Sequence, residues 1–188
     1  MKLVSILLLI FFMLELNSVC LPQKVLAVSK EGITSFQLYQ PKANQGDADA
    51  QFNLALLYYT GLGIPQDRRY AIYWYTKAAE QGHVNAQYSL GDLYRRGGGE
   101  EIPRDYKQAF YWLTKAAEQG CANAQYSLGD LCQYGGGEEV PRDYTLAFFW
   151  YTKAAEQGYS FVKEGLNSML ETMSQSQIEE VQKLSKRT

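Results

Sequence analysis

The side chains able to do acid, base, nucleophilic or metal chemistry are few in this 188-residue chain, and they do not converge. His83 is the single histidine, so no site can be built on two. Cys20, Cys121 and Cys132 are too far apart in sequence for zinc or haem ligand spacing. The pairs Glu100-Glu101 and Glu138-Glu139 could serve as acid and base or as a weak calcium site. Adjacent acids in a glycine-rich loop are better read as solvated, however, and they supply too few oxygens for calcium. Gly97-Gly98-Gly99 lacks the following Lys-Ser/Thr of a phosphate loop. His83 reads as a variable loop residue with no neighbouring nucleophile. No catalytic residue, metal or cofactor is expected. With 18 Lys+Arg against 20 Asp+Glu, a formal net charge of −2 and a pI near 5.5, the chain carries no cation excess to neutralise phosphates. A nucleic-acid partner is therefore disfavoured.

The N-terminus reads as an address. Lys2 precedes an uncharged, largely apolar run from Leu3 to Leu14, with Glu15 and Asn17 beyond it, the layout of a secretory signal peptide over residues 1–27. The run is too short for a bilayer-spanning helix, which needs about 20 residues. Cleavage fits best after Ala27, with Val25 and Ala27 as the small residues, and alternatively after Cys20. Acylation of Cys20 is opposed by Val19 and Asn17 at the positions a lipoprotein signal constrains. Removing Lys2, Lys24 and Glu15 with the leader leaves a net charge of −3. The expected location is exported, in the periplasm or secreted, with no membrane span in the mature chain.

Any function must then be positioned by internal repeats. Lys-Ala-Ala-Glu-Gln-Gly occurs at 77–82, 115–120 and 153–158, preceded at one offset by Trp74, Trp112 and Trp150. Ala-Gln-aromatic-x-Leu occurs at Ala50, Ala86 and Ala124, and the shorter first spacing reflects a shorter glycine-containing loop, Gly61 to Asp67. Ala86, Leu90, Leu93 and Tyr94 form one helical stripe; Ala109, Trp112, Leu113, Ala116 and Ala117 form another. Between them Pro103 stops the first helix and Asp105 N-caps the second, as Asp67 and Asp143 do in the other blocks, each cap contributing about 1 kcal/mol. Gly120 closes the second helix in a left-handed conformation.

Each block is thus a helix-turn-helix hairpin that cannot bury its own apolar face, and stacking produces an all-α, right-handed α/α solenoid. The divisions are an N-terminal half-repeat cap over 28–47, repeats over 48–83, 84–121 and 122–159, and C-terminal capping helices over 160–188. Pro41 predicts an irregular helix in the first cap. In the second, Ser160 predicts a helix start and Ser176 with Glu179 a capping box for a last helix reaching Lys186.

The pattern Ala-x-x-x-Leu-Gly-x-x-Tyr, a glycine-rich turn, Asp, then Ala-x-x-Trp-x-x-Lys-Ala-Ala-x-x-Gly resembles the Sel-one-like repeat (SLR), a relative of the tetratricopeptide repeat, over residues 48–159. The departures are Ala55 for Gly, Ile64 and Ile102 for Val, and Cys132 where Tyr58 and Tyr94 stand, the last predicting a local void. The resemblance implies an adaptor whose concave face holds a protein or cell-wall partner. If the tetratricopeptide positions carry over, that face comprises Asp49, Phe52, Leu56 and Tyr59; Asn85, Tyr88, Asp92 and Arg95; and Asn123, Tyr126, Asp130 and Gln133. An aromatic row beside an Asn/Asp row suits an extended peptide or a glycan; the same side chains also read as half-buried packing and a solvated face. Self-association through an exposed solenoid end and secretion as a host-interacting factor are further expectations.

Cysteine-rich secreted relatives described as beta-lactamases make a beta-lactam or peptidoglycan hydrolase the rival reading. Their repeat disulfides would fall at Ala79 and Gln87 and at Ala117 and Gln125, where no cysteine stands. Cys121 and Cys132, about 16 Å apart along a helix, cannot pair with each other. No disulfide and two unpaired thiols are expected.

Overall fold

The computed structural model describes residues 32–99, 101–159 and 162–186. The leader with Cys20 and Ala27, as well as Glu100 and Ser160, lies outside the described residues. Among these, nine helices and no strand are present: α1 Gly32–Asn44, α2 Ala48–Thr60, α3 Arg68–Glu80, α4 Val84–Arg96, α5 Tyr106–Glu118, α6 Ala122–Tyr134, α7 Tyr144–Glu156, α8 Lys163–Thr172 and α9 Gln175–Ser185. The pairs α2/α3, α4/α5 and α6/α7 form the three hairpins, each packed on the next; α1 packs on α2, and α8 and α9 close the far end against α7. This is an all-α repeat solenoid.

The turn inside each hairpin satisfies the helix ends on both sides. Asp67, Asp105 and Asp143 accept from the backbone N–H of Tyr70, Gln108 and Leu146 at 3.0, 2.8 and 2.9 Å. Their own N–H groups donate back to the carbonyls of Tyr58, Tyr94 and Cys132. The residue before each Asp serves the preceding helix: Arg104 and Arg142 donate Nε to the carbonyls of Arg96 and Tyr134, both at 3.1 Å. In the shorter first turn Gln66 does the same for Tyr59. Helix-end groups that would otherwise be orphaned are thereby paired.

Between hairpins the chain reverses at Gly82, Gly120 and Gly158, with φ of 86°, 84° and 105°. A left-handed residue there lets the next N–H reach back to Ala78, Ala116 and Ala154. The glutamine of the Ala-Gln-aromatic motif locks this junction. Gln51, Gln87 and Gln125 are 5%, 4% and 4% exposed. Each donates its side-chain N–H to the carbonyl of Ala43, Ala79 or Ala117 at the end of the preceding helix, at 3.1, 3.0 and 3.2 Å. Each also accepts, at 2.7 Å, from Gln81, Gln119 or Gln157 at the end of its own hairpin. Two polar motifs 30 or 32 residues apart are thus one buried contact.

Small residues set the helix spacing. A Cβ on Gly91 would sit 2.8 Å from the Leu113 side chain, and one on Gly129 would sit 2.7 Å from the Tyr151 ring. Ala71, Ala78, Ala86, Ala109, Ala116, Ala124, Ala147 and Ala154 are fully buried. On the outer side Lys77 and Lys115 lie over the rings of Tyr73 and Tyr111. These tyrosines are half exposed, whereas the equivalent Phe149 is buried in the core shared with Val181 of α9.

Three expectations for the ends are corrected or fall away. α1 runs through Pro41 without a break: proline lies near the helix end, and the N–H it lacks would have served Gln37 on an exposed face. The capping box lies two residues earlier than Ser176/Glu179, at Ser174 and Gln177. There the Gln177 amide oxygen accepts from the Ser174 N–H at 2.9 Å, so the helix starts sooner. The cap expected of Ser160 falls outside the described residues, and α8 begins without a side-chain cap.

Replacing Gln87 by Leu removes both contacts while keeping the volume. We expect Gln87→Leu to lower stability by about 1–3 kcal/mol in urea denaturation, with a non-additive cycle against Gln119→Ala; additive losses would show that the two glutamines act independently.

Candidate binding face

The first helices α2, α4 and α6 carry the twelve expected face residues in four rows. In the first row Asp49 is 89% exposed, and Asn85 and Asn123 are half-buried. The Oδ1 of Asn85 is enclosed without a hydrogen-bond partner. The second row is mostly packing: Phe52 is 5% exposed, stacked on His83 at 4.7 Å and tilted on Tyr75 at 5.8 Å. Tyr126 sits between Tyr151 and Tyr159 at 5.8 and 5.6 Å. Tyr88 is half-buried, and burial followed by Asp92 pushes its hydroxyl up to about 12, against the opposing pull of Arg96 and Arg95.

The third and fourth rows hold the charge. Asp92 binds Arg95 through Oδ1 at 2.7 Å and Arg96 through Oδ2 at 2.8 Å. Beside it, the Tyr151 hydroxyl is 2.7 Å from both Asp130 Oδ1 and Gln133 Oε1. Burial and then the hydrogen bond to Asp130 push that hydroxyl well above the ordinary phenol range. Leu56 is half-buried and Tyr59 is 40% exposed. The charge of Asp92 and its hydrogen bond raise Arg96 further above its ordinary value. Burial and then Asp130 raise Tyr126, with Arg95 of the neighbouring repeat opposing. Asp92, Arg95 and Arg96 thus form one ion-paired cluster on α4, and Asp130, Gln133 and Tyr151 a hydrogen-bonded one in the next hairpin.

The Sel1 repeat family matches the chain three times, over residues 48–83, 84–121 and 122–159. The chain belongs to the Sel1 repeat family. A Sel1 repeat protein from Oxalobacter formigenes is 37% identical, with 72% of this chain and 99% of that one covered and a TM-score of 0.61. The protective antigen c5321 of uropathogenic Escherichia coli, described as displaying an SLR fold, is 33% identical with a TM-score of 0.44; 86% of this chain is covered and 42% of that one. Helicobacter pylori cysteine rich protein B is 20% identical with a TM-score of 0.49, over 66% of this chain and 86% of that one. No curated protein sequence matches.

Several groups of this Sel1 repeat protein were not assigned these roles from sequence. Arg96 completes the Asp92 pair from the i+4 position, a spacing visible in the sequence. His83 is a helix N-cap, with Nδ1 accepting from the Ala86 N–H at 3.1 Å and Nε2 facing Asp49 Oδ1 at 3.2 Å. The signal was Asp47, which occupies the same place after Gln-Gly and caps α2 through the Ala50 N–H at 2.8 Å.

Cysteine chemistry departs from expectation. Cys121 is buried and disulfide-bonded, so the expectations of no disulfide and of two unpaired thiols fail at Cys121. The spacing argument had excluded only its pairing with Cys132. Cys132 is free and 1% exposed, and burial followed by Asp143 pushes its thiol up to about 12, which keeps it from acting as a nucleophile at neutral pH. Among the described residues no group of three or more His, Cys, Asp or Glu could hold a metal ion, and no helix is long and apolar enough to cross a membrane.

Burial depresses His83 below its ordinary 6.5, although Asp49 opposes the shift. Above that value neither folded nor unfolded chain carries the proton; below it the unfolded chain binds it first, so stability falls as the pH falls. Thermal melts between about pH 7 and about pH 5 are expected to show this loss in the parent and a shallower slope in His83→Asn, which keeps a capping oxygen. Equal slopes would show that His83 does not titrate into the fold.

Proposed function

We propose that this Sel1 repeat protein is a non-enzymatic interaction module, exported by a bacterium, that holds an extended segment of a protein or cell-envelope partner along α2, α4 and α6. The observation that carries this reading is the patch at the third and fourth rows. Arg96 is 65% exposed and engages Asp92 through Nε, leaving the ends of its guanidinium for a partner's carbonyl or carboxylate oxygens. Tyr59, at the same level on the neighbouring helix, adds a flat amphipathic surface of the kind enriched at interface centres. The expectation of export rests on the Lys2-led apolar segment. The acids of the face support binding better than hydrolysis: Asp92 is neutralised by two guanidinium groups and Asp130 is bonded to Tyr151.

Phe52 and Tyr126 are poor test positions because their rings are packed. Tyr59→Ala/Arg96→Ala removes two accessible side chains and is expected to fold normally by circular dichroism. Crosslinked capture of an envelope partner is expected to weaken by about 30-fold, a hot-spot loss of about 2 kcal/mol. Capture as strong as the parent's would place the binding surface elsewhere.

A further inference from the structure

The first two repeats each fill the inner corner of the hairpin with a tyrosine. The backbone contact that defines this corner is the same in all three repeats: the capping Asp donates its N–H to the carbonyl of Tyr58, Tyr94 or Cys132. Tyr58 stacks on Tyr70 at 5.2 Å. Burial, then Tyr70 and Asp67, raise its hydroxyl, as burial and Asp105 raise that of Tyr94. These tyrosines therefore present a partly buried apolar ring to the corner.

In the third repeat Cys132 replaces this tyrosine, while the place of Tyr70 is taken by Gln108 in the second repeat and by Leu146 in the third. A pocket of about 190 Å³, open to solvent, lies at this corner, with Phe110, Cys132, Val140 and Leu146 as its apolar wall and the exposed Glu139, Pro141 and Asp143 at its mouth. Asp143 keeps its place, with one carboxylate oxygen capping α7 at the Leu146 N–H. A carboxylate has capacity for a further donor beyond that bond.

We propose that the corner between α5, α6 and α7 binds a small phenol-class aromatic ring, seated where the repeat's own tyrosine would stand and donating its hydroxyl to Asp143. The internal template supplies the ligand class: two copies of the same architecture show which group the corner accommodates, and the third lacks it while retaining the apolar wall and the carboxylate.

The test is titration calorimetry of the full chain with p-cresol, with N-acetyl-tyrosinamide in a parallel arm. One-to-one saturable binding of p-cresol is expected. Cys132→Tyr, which restores the ring, should weaken it by about tenfold or more and raise the melting temperature. Leu146→Phe narrows the cavity from the opposite wall and serves if the first variant fails to fold. Asp143→Asn keeps a capping side chain and should weaken p-cresol but not toluene. Binding of both probes identifies a tyrosyl side chain as a possible source of the ring; binding of p-cresol alone identifies a free small aromatic. Absence of saturable p-cresol binding in the parent, or affinity unchanged in the folded variants that fill the cavity, overturns the proposal.

Discussion

A buried amide holds this solenoid in register. Apolar packing alone would let neighbouring hairpins slide, because alanine-lined helices present nearly featureless surfaces to each other. Gln51, Gln87 and Gln125 remove that freedom, since each binds a carbonyl of the helix before it and the terminal glutamine of the helix after it. An unpaired amide at such depth costs roughly 1–3 kcal/mol, so a register that misplaces it is disfavoured three times over. The close approaches at Gly91 and Gly129, and the alignment of α2, α4 and α6 that forms the candidate face, depend on that registration.

The parts of the fold legible in the sequence are those written in local chemistry. Asp67, Asp105 and Asp143 declare helix starts because a side-chain oxygen can reach only its own turn, and Gly82, Gly120 and Gly158 declare helix ends for an equally local reason. Where two local solutions compete, sequence reading had no means of choosing. Ser174 with Gln177 and Ser176 with Glu179 satisfy the same capping pattern, and the last helix uses the first pair. Pro41 reads as a breaker, but its effect depends on how close the helix end lies and on whether the affected carbonyl faces water.

The binding face was legible as a set of helix positions but not as chemistry. Spacing assigned Phe52, Tyr88 and Tyr126 to one row, yet their burial depends on neighbours brought up by the fold: His83 covers Phe52, whereas Tyr151 and Tyr159 flank Tyr126. Similarly, Asp92 and Asp130 look alike along the chain but differ in the fold. The first is neutralised by Arg95 and Arg96 on its own helix, and the second is held by a tyrosine from the partner helix of its hairpin. A chain with a net negative charge thus places two arginines side by side on the middle helix of the candidate face. That arrangement arises from tertiary neighbours, which composition does not report.

The glutamine contacts also define the smallest unit by which such a chain can lengthen. Each block carries one amide that looks backward, one that closes on its own hairpin, and one terminal alanine carbonyl offered forward. Inserting a complete copy of residues 84–121 in tandem would leave every one of these groups partnered, whereas a copy that is not a whole repeat in length would strand a donor on one side of the seam and an acceptor on the other. Gene duplication in whole blocks is therefore chemically silent at the junctions, and variation is free to accumulate in the loops and on the open face.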